Sequence, residues 1–233
     1  MNSVFADFDT RAKEVEGYFN FVLRLAEAEP AVRSEHAKDS ALSAREHEEL
    51  LKTFKATCYL LLYNLVESTM RNAIEAIFEE LRSSGVIFDD CRLELRKEIL
   101  SNFKKRAMEK LLPKLLSFAR DVIHETFECQ ESFSGNLDAR AIRQAAKRFG
   151  FAEPTGRDYS LLLTVKDNRN DLAHGDKSFA EVGRNATPGD LREAQAQTVD
   201  ILSKTLHNIR NYLQQRHYLQ AVPAALQVAP GVN

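Results

Sequence analysis

From Ser43 to about Gly85 the apolar residues keep a helical rhythm almost without interruption. Phe54, Cys58, Leu61, Leu65, Ile77 and Leu81 mark it. Ser43 and Glu46 form an S-x-x-E capping box at one end, and Gly85 can close the other. The pattern predicts a helix over about residues 44–84. The mean helix of a globular protein is nearer ~12 residues. Such a helix needs partners along its length.

The remaining segments fit that constraint. Residues 9–28 place Val15, Phe19, Val22 and Ala26 at helical spacing, and predict a short N-terminal helix. Pro30 and the polar run that follows it predict a linker. Residues 91–129 predict one or two helices, with Pro113 as a kink or boundary. A short helix capped by Asp138 and closed by Gly150 comes next, then one over 158–173. Thr187 and Pro188 open the last helix, since proline fits a first helical position. Its stripe includes Leu191, Ala194, Ile201, Leu202, Ile209 and Leu213. No strand alternation stands out. The expected organisation is an N-terminal helix and linker over 1–42, a main helical domain over 43–219, and a disordered tail over 220–233 that holds two prolines.

Composition narrows the class. With 233 residues, 44% hydrophobic and 28% charged, the chain suits a soluble globule. Its formal net charge is −2, but the charge is unevenly spread. Residues 1–50 hold eleven acids against six bases, and residues 92–120 hold nine bases against three acids. The basic run, with Lys104, Lys105 and Arg106 at its centre, either guides a polyanion or is a solvated helix face. Cys58, Cys91 and Cys129 are far apart and suit a reducing compartment. The N-terminus has no secretory pattern and no run is long enough to span a membrane, so a cytoplasmic protein is expected.

Signatures of nucleotide-binding loops, zinc proteases and serine hydrolases are absent. His36, His47, His124, His207 and His217 have no metal-ligand spacing around them. No metal and no cofactor is expected.

His174 stands apart. In "KDNRNDLAHGDKSF" (residues 166–179) it follows Arg169 as R-x4-H, just after an apolar helix and just before Gly175. The spacing alone carries little weight, because Arg210 and His217 repeat it with two more residues between them. On a continuous helix, residues five apart point about 140° away from each other. Arg169 and His174 would therefore not share a face unless the helix breaks near Gly175. Asn170 and His174, four apart, do share one. Asp171 is placed to accept a hydrogen bond from the His174 ring. Two readings fit: a polar helix end whose Asp and His serve as caps, or a site.

"NRNDLAHG" resembles the R-x4-6-H motif of the HEPN superfamily, with Asn170 at its polar position. "LLLYNLVESTMRNAI" (60–74), "GNLDARAIRQAAKRFGF" (135–151) and "LAHGDKSFAEVGRNAT" (172–187) are similar to a prokaryotic branch found beside toxin–antitoxin and defence genes. The likeness covers about residues 44–215 and leaves the N-terminal segment outside. It implies an all-α HEPN-like bundle, usually a homodimer, that cleaves RNA without a metal. Arg169 and His174 would be its catalytic pair, with Asn170 in support. It also implies RNA as substrate and an antitoxin or defence partner protein. The alternative is a HEPN-like module that binds RNA or protein without cutting.

If the basic run guides RNA, reversing Lys104, Lys105 and Arg106 to Glu weakens RNA binding and flattens its salt dependence, as read by fluorescence anisotropy across a salt series. Unchanged affinity and slope would make the run a solvated face.

Overall fold

The computed structural model describes residues 1–27, 44–104 and 136–220. Among these residues the chain is all-α, as expected. The helices are α1 (Asn2–Glu27), α2 (Ala44–Ser83), α3 (Leu93–Lys104), α4 (Ala139–Phe149), α5 (Leu161–His174), α6 (Phe179–Asn185) and α7 (Pro188–Gln214). A 3-10 turn over Phe88–Asp90 precedes α3. The expected linker, the segment around Pro113, Cys129, Lys105 and Arg106, and residues 221–233 of the tail lie outside the described residues, as does Ser43 of the capping box. No described helix is long and apolar enough to cross a membrane.

The forty-residue α2 is the hub. Helices α1, α5, α6 and α7 all pack against it. Its buried side is wide, reaching from Leu65 and Thr69 through Leu62, Val66 and Met70 to Tyr63 and Ile74.

Helix α1 begins at Asn2, seven residues before the range its stripe suggested. Val4 and Phe8 extend that stripe and are buried with Val15, Phe19 and Val22. The helix packs on both α2 and α7, and its apolar residues belong to the same core cluster as theirs. The N-terminal segment, expected as a separate unit, is structurally part of the bundle in its helical portion.

The caps read from sequence are present where they can be described. The Asp138 side chain accepts the Ala141 N–H at 2.8 Å and starts α4, and Gly150 closes it with a left-handed φ. Thr187 and Asp190 form a capping box at the start of α7, with Pro188 in its first turn. The stripe expected for α7 is buried throughout, from Leu191 to Leu213. Past α7, the main chain of Tyr218 and Gln220 bonds to that of Arg92 and Asp90, at 2.8 and 2.7 Å. Cys91 and Leu219 thus make an isolated bridge. Burial pushes the Cys91 thiol up to about 11 and that of Cys58 to about 12, so both stay protonated.

Helix α6 was not evident from periodicity, since seven residues are barely two turns. Ser178 and Glu181 fix its start through a capping box. Gly183 then brings it against α2. A Cβ at this position would overlap the Lys52 carbonyl and lie 2.7 Å from Lys52 Cα. Because the obstacle is backbone, it cannot swing away as a side chain would.

Gly183→Ala should therefore separate α6 from α2 and cost about 1–3 kcal/mol, the usual range for overpacking. Urea unfolding at constant slope checks this; an unchanged midpoint would mean that α6 shifts at no cost.

Candidate functional site

The Arg169–His174 stretch is the last turn and a half of α5. The helix runs unbroken through His174. It stops at Gly175, whose φ of 77° would strain any residue with a Cβ, and whose N–H bonds to the Asp171 carbonyl. The break follows His174 instead of preceding it. Arg169 and His174 therefore remain about 140° apart around one helix, and one chain does not bring them to the same face.

Arg169 is held from two sides. Its guanidinium lies over the ring of Tyr63, 4.4 Å from the centroid. Its Nη1 donates to Asn170 Oδ1 at 3.0 Å. Tyr63 belongs to α2 and is only 2% exposed, so the platform under Arg169 is part of the core. Burial raises the Tyr63 phenol above its ordinary range, and its hydroxyl accepts the Leu137 N–H at 3.3 Å. The ring stays neutral and offers its negative face to the cation.

Asn170 continues the network by donating to Asn136 Oδ1 at 3.3 Å. Lys166, one turn back on α5, bonds Asp138 at 3.1 Å. The beginning of α4 is thus tied to the end of α5 by Asn136 and Asp138. Sequence reasoning had not singled out Tyr63, Asn136 or Lys166. Lys166 had a legible signal, since it stands four residues before Asn170 on the same face. Tyr63 and Asn136 come from distant segments, and no spacing rule reaches them.

Asp171 is not engaged with His174, as had been expected. Its carboxylate binds Lys177 Nζ at 2.6 Å, and its carbonyl takes the N–H groups of Gly175 and Asp176. His174 is exposed and has no hydrogen-bond partner among the described residues. Of the predicted site residues, Arg169 and Asn170 meet, whereas Asp171 and His174 stand apart. Lys104 is the last residue of α3, and Lys105 and Arg106 lie outside the described residues. The competing Arg210 and His217 have other surroundings. Arg210 stacks on Phe5 of α1, 3.6 Å from the ring centroid, and His217 lies just beyond the end of α7. Among the described residues no three His, Cys, Asp or Glu side chains are grouped to hold a metal ion.

A family model for the HEPN_MAE_28990-like HEPN family matches residues 1–218. The match begins at residue 1 and takes in α1, which the resemblance had left outside. No curated protein and no solved structure matches the chain.

The Asp138–Lys166 pair makes the junction pH-sensitive. Burial opposes the ionisation of Asp138, but the Ala141 N–H and Lys166 more than offset it, and the carboxyl titrates below its ordinary range. A depressed folded value means that the stabilisation is full above the ordinary aspartate range and is lost as the pH falls through the lower, folded value. Asp138→Asn keeps a capping oxygen but removes the charge, and should cost up to about 1 kcal/mol at neutral pH. In urea titrations that gap should close in acid; a gap independent of pH would show that the charge is immaterial.

Proposed function

The chain belongs to the HEPN_MAE_28990-like HEPN family, and from that premise we propose that it is a metal-independent endoribonuclease. HEPN proteins are generally associated with RNA cleavage or other RNA-related roles. In the proposed reaction the RNA 2′-oxygen attacks the adjacent phosphorus, and the bond to the 5′-oxygen breaks. A histidine accepts the 2′-hydroxyl proton, and a proton is returned to the leaving 5′-oxygen. Arg169 binds the phosphate oxygens and stabilises the charge that gathers on them. The products are a 2′,3′-cyclic phosphate and a 5′-hydroxyl.

The observation that supports this reading most is the contrast between Arg169 and His174. Arg169 is fixed on the Tyr63 ring and by Asn170. His174 is exposed at the end of the same helix and has no hydrogen-bond partner among the described residues. A fixed cation suits phosphate binding, and a free imidazole suits proton transfer. Their divergence around α5 argues for a composite cleft, in which two copies related by a two-fold axis face each other across these helix ends. Such a cleft holds two Arg and two His, enough for separate base and acid roles. A role as a toxin or anti-phage effector, with an antitoxin or other partner to restrain it, is the biological form we propose.

Cleavage should survive EDTA and leave cyclic phosphate ends, while replacing the 2′-hydroxyl at the cut site with hydrogen should abolish it and spare binding. His174→Ala should lower the cleavage rate by about 10²-fold or more. Arg169→Lys should also be severely impaired, because it keeps the charge but loses the planar fork. Mass spectrometry of the product ends and rates for the two variants check this. A 5′-phosphate end would overturn the mechanism, and binding without any cleavage would favour a non-catalytic RNA-binding module.

A further inference from the structure

Among the described helices with an apolar stripe, α4 is the most strongly polarised. Its eleven residues carry Arg140, Arg143, Lys147 and Arg148 and no acid. Ile142, Ala145, Ala146 and Phe149 bury the opposite face. At 100° per residue, Arg140, Arg143 and Lys147 fall within about 60° of one another, along the outward side. Neither Arg140 nor Arg143 meets a carboxylate among the described residues. Arg143 lies 5.9 Å from the centre of the Tyr159 ring. Lys147 has only a surface contact with Glu153 at 3.4 Å, which holds it weakly.

The two ends of α4 touch two different basic groups. At its start, Asn136 and Asp138 are bonded to Asn170 and Lys166, beside Arg169. At its end, the Gly150 carbonyl accepts from Arg92 Nη1 at 2.9 Å. Arg92, Arg96, Arg216 and His217 line an open pocket of about 650 Å³ there. Glu94, the one acid in its lining, is bonded to Arg92 at 2.8 Å. Arg96 donates through Nη2 to Gln220 Oε1 at 3.1 Å, and its buried Nε has no hydrogen-bond partner among the described residues. Arg216 follows the end of α7 with a φ of 52°, where the backbone favours glycine, and is the one non-glycine residue so placed among those described. A strained arginine at the rim of a cationic pocket is a reason to look for an anion.

We infer that the sugar–phosphate backbone of the RNA follows the outward stripe of α4, from the Arg169 end to the Arg96–Arg216 pocket. The helix is about 16 Å long, so it can hold several consecutive phosphates. This rests on the RNA reading above. It assigns substrate binding to residues outside the R-x4-H motif and distinct from Lys104–Arg106. Arginines that meet no carboxylate among the described residues suit a polyanion, whatever its base sequence.

The test uses the full-length protein and a fluorescent 2′-O-methyl oligouridylate, which lacks the attacking hydroxyl and stays intact. Binding is followed by anisotropy across a salt series. The triple variant Arg140→Gln, Arg143→Gln, Lys147→Gln should weaken binding at least about tenfold and lower the salt slope by about 2, near 0.7 per lost phosphate contact. Arg96→Gln with Arg216→Gln should weaken it as well. The same change of net charge on α1 (Arg11→Gln, Lys13→Gln, Arg24→Gln) should have little effect. Circular dichroism should show that each variant keeps its helix content. An equal loss in the α1 variant would reduce the effect to net charge and overturn the track. Wild-type affinity in the α4 variant would overturn it directly, and wild-type affinity in the pocket variant would overturn the pocket as its end. A change of oligomeric state in the α4 variant that accounts for the lost binding would make the stripe a seam between chains instead. No binding by the wild type would mean that the RNA reading itself has failed.

Discussion

A helix of forty residues cannot stand in water on propensity alone, and the rest of the fold follows from covering it. Among the described residues, α1, α5, α6 and α7 pack on α2 and cover a wide side of its middle. Gly183 lets α6 approach its backbone, and α1 and α7 enclose it further along. The same hub reaches the candidate site. Tyr63 is a core residue of α2, yet one face of its ring carries Arg169 and its hydroxyl receives Leu137. A side chain that would otherwise sweep solvent is thereby fixed on a core residue of the hub helix. This reduces the entropy that would be lost on holding a phosphate.

The end of α5 imposes the second constraint. Gly175 stops the helix only after His174, so arginine and histidine keep the angular separation of two residues five apart. A single bundle thus presents them to different directions. If both act on one phosphodiester, some other surface must bring them together, and a second copy of the same helix end is the most economical one. The carboxylate of Asp171 is drawn away to Lys177, and the imidazole meets no hydrogen-bond partner among the described residues.

Much of this was legible in the sequence, because helices announce themselves locally. The α2 stripe, the Asp138 cap, the Gly150 and Gly175 stops, and the Thr187–Pro188 start depend on residues within a turn or two of each other. The start of α1 was missed because Arg11 and Ala12 fall where the stripe would need large apolar residues between Phe8 and Val15. Helix α6 was missed because its seven residues are too few to establish a period. At the site, the motif was readable but its supports were not. Tyr63 and Arg169 are more than a hundred residues apart, and Asn136 is 34 from Asn170. The expected Asp171–His174 contact failed for a local reason: Lys177, brought back by the turn after Gly175, is the stronger partner for a carboxylate.

The central claim is that two copies of the α5 end make one cleft. Cleavage rate per chain, measured across a dilution series with the oligomeric state followed in parallel by sedimentation velocity, tests it most directly. The account predicts that the rate per chain falls in step with the fraction of dimer. A monomer that cleaves RNA at the undiminished rate would contradict it.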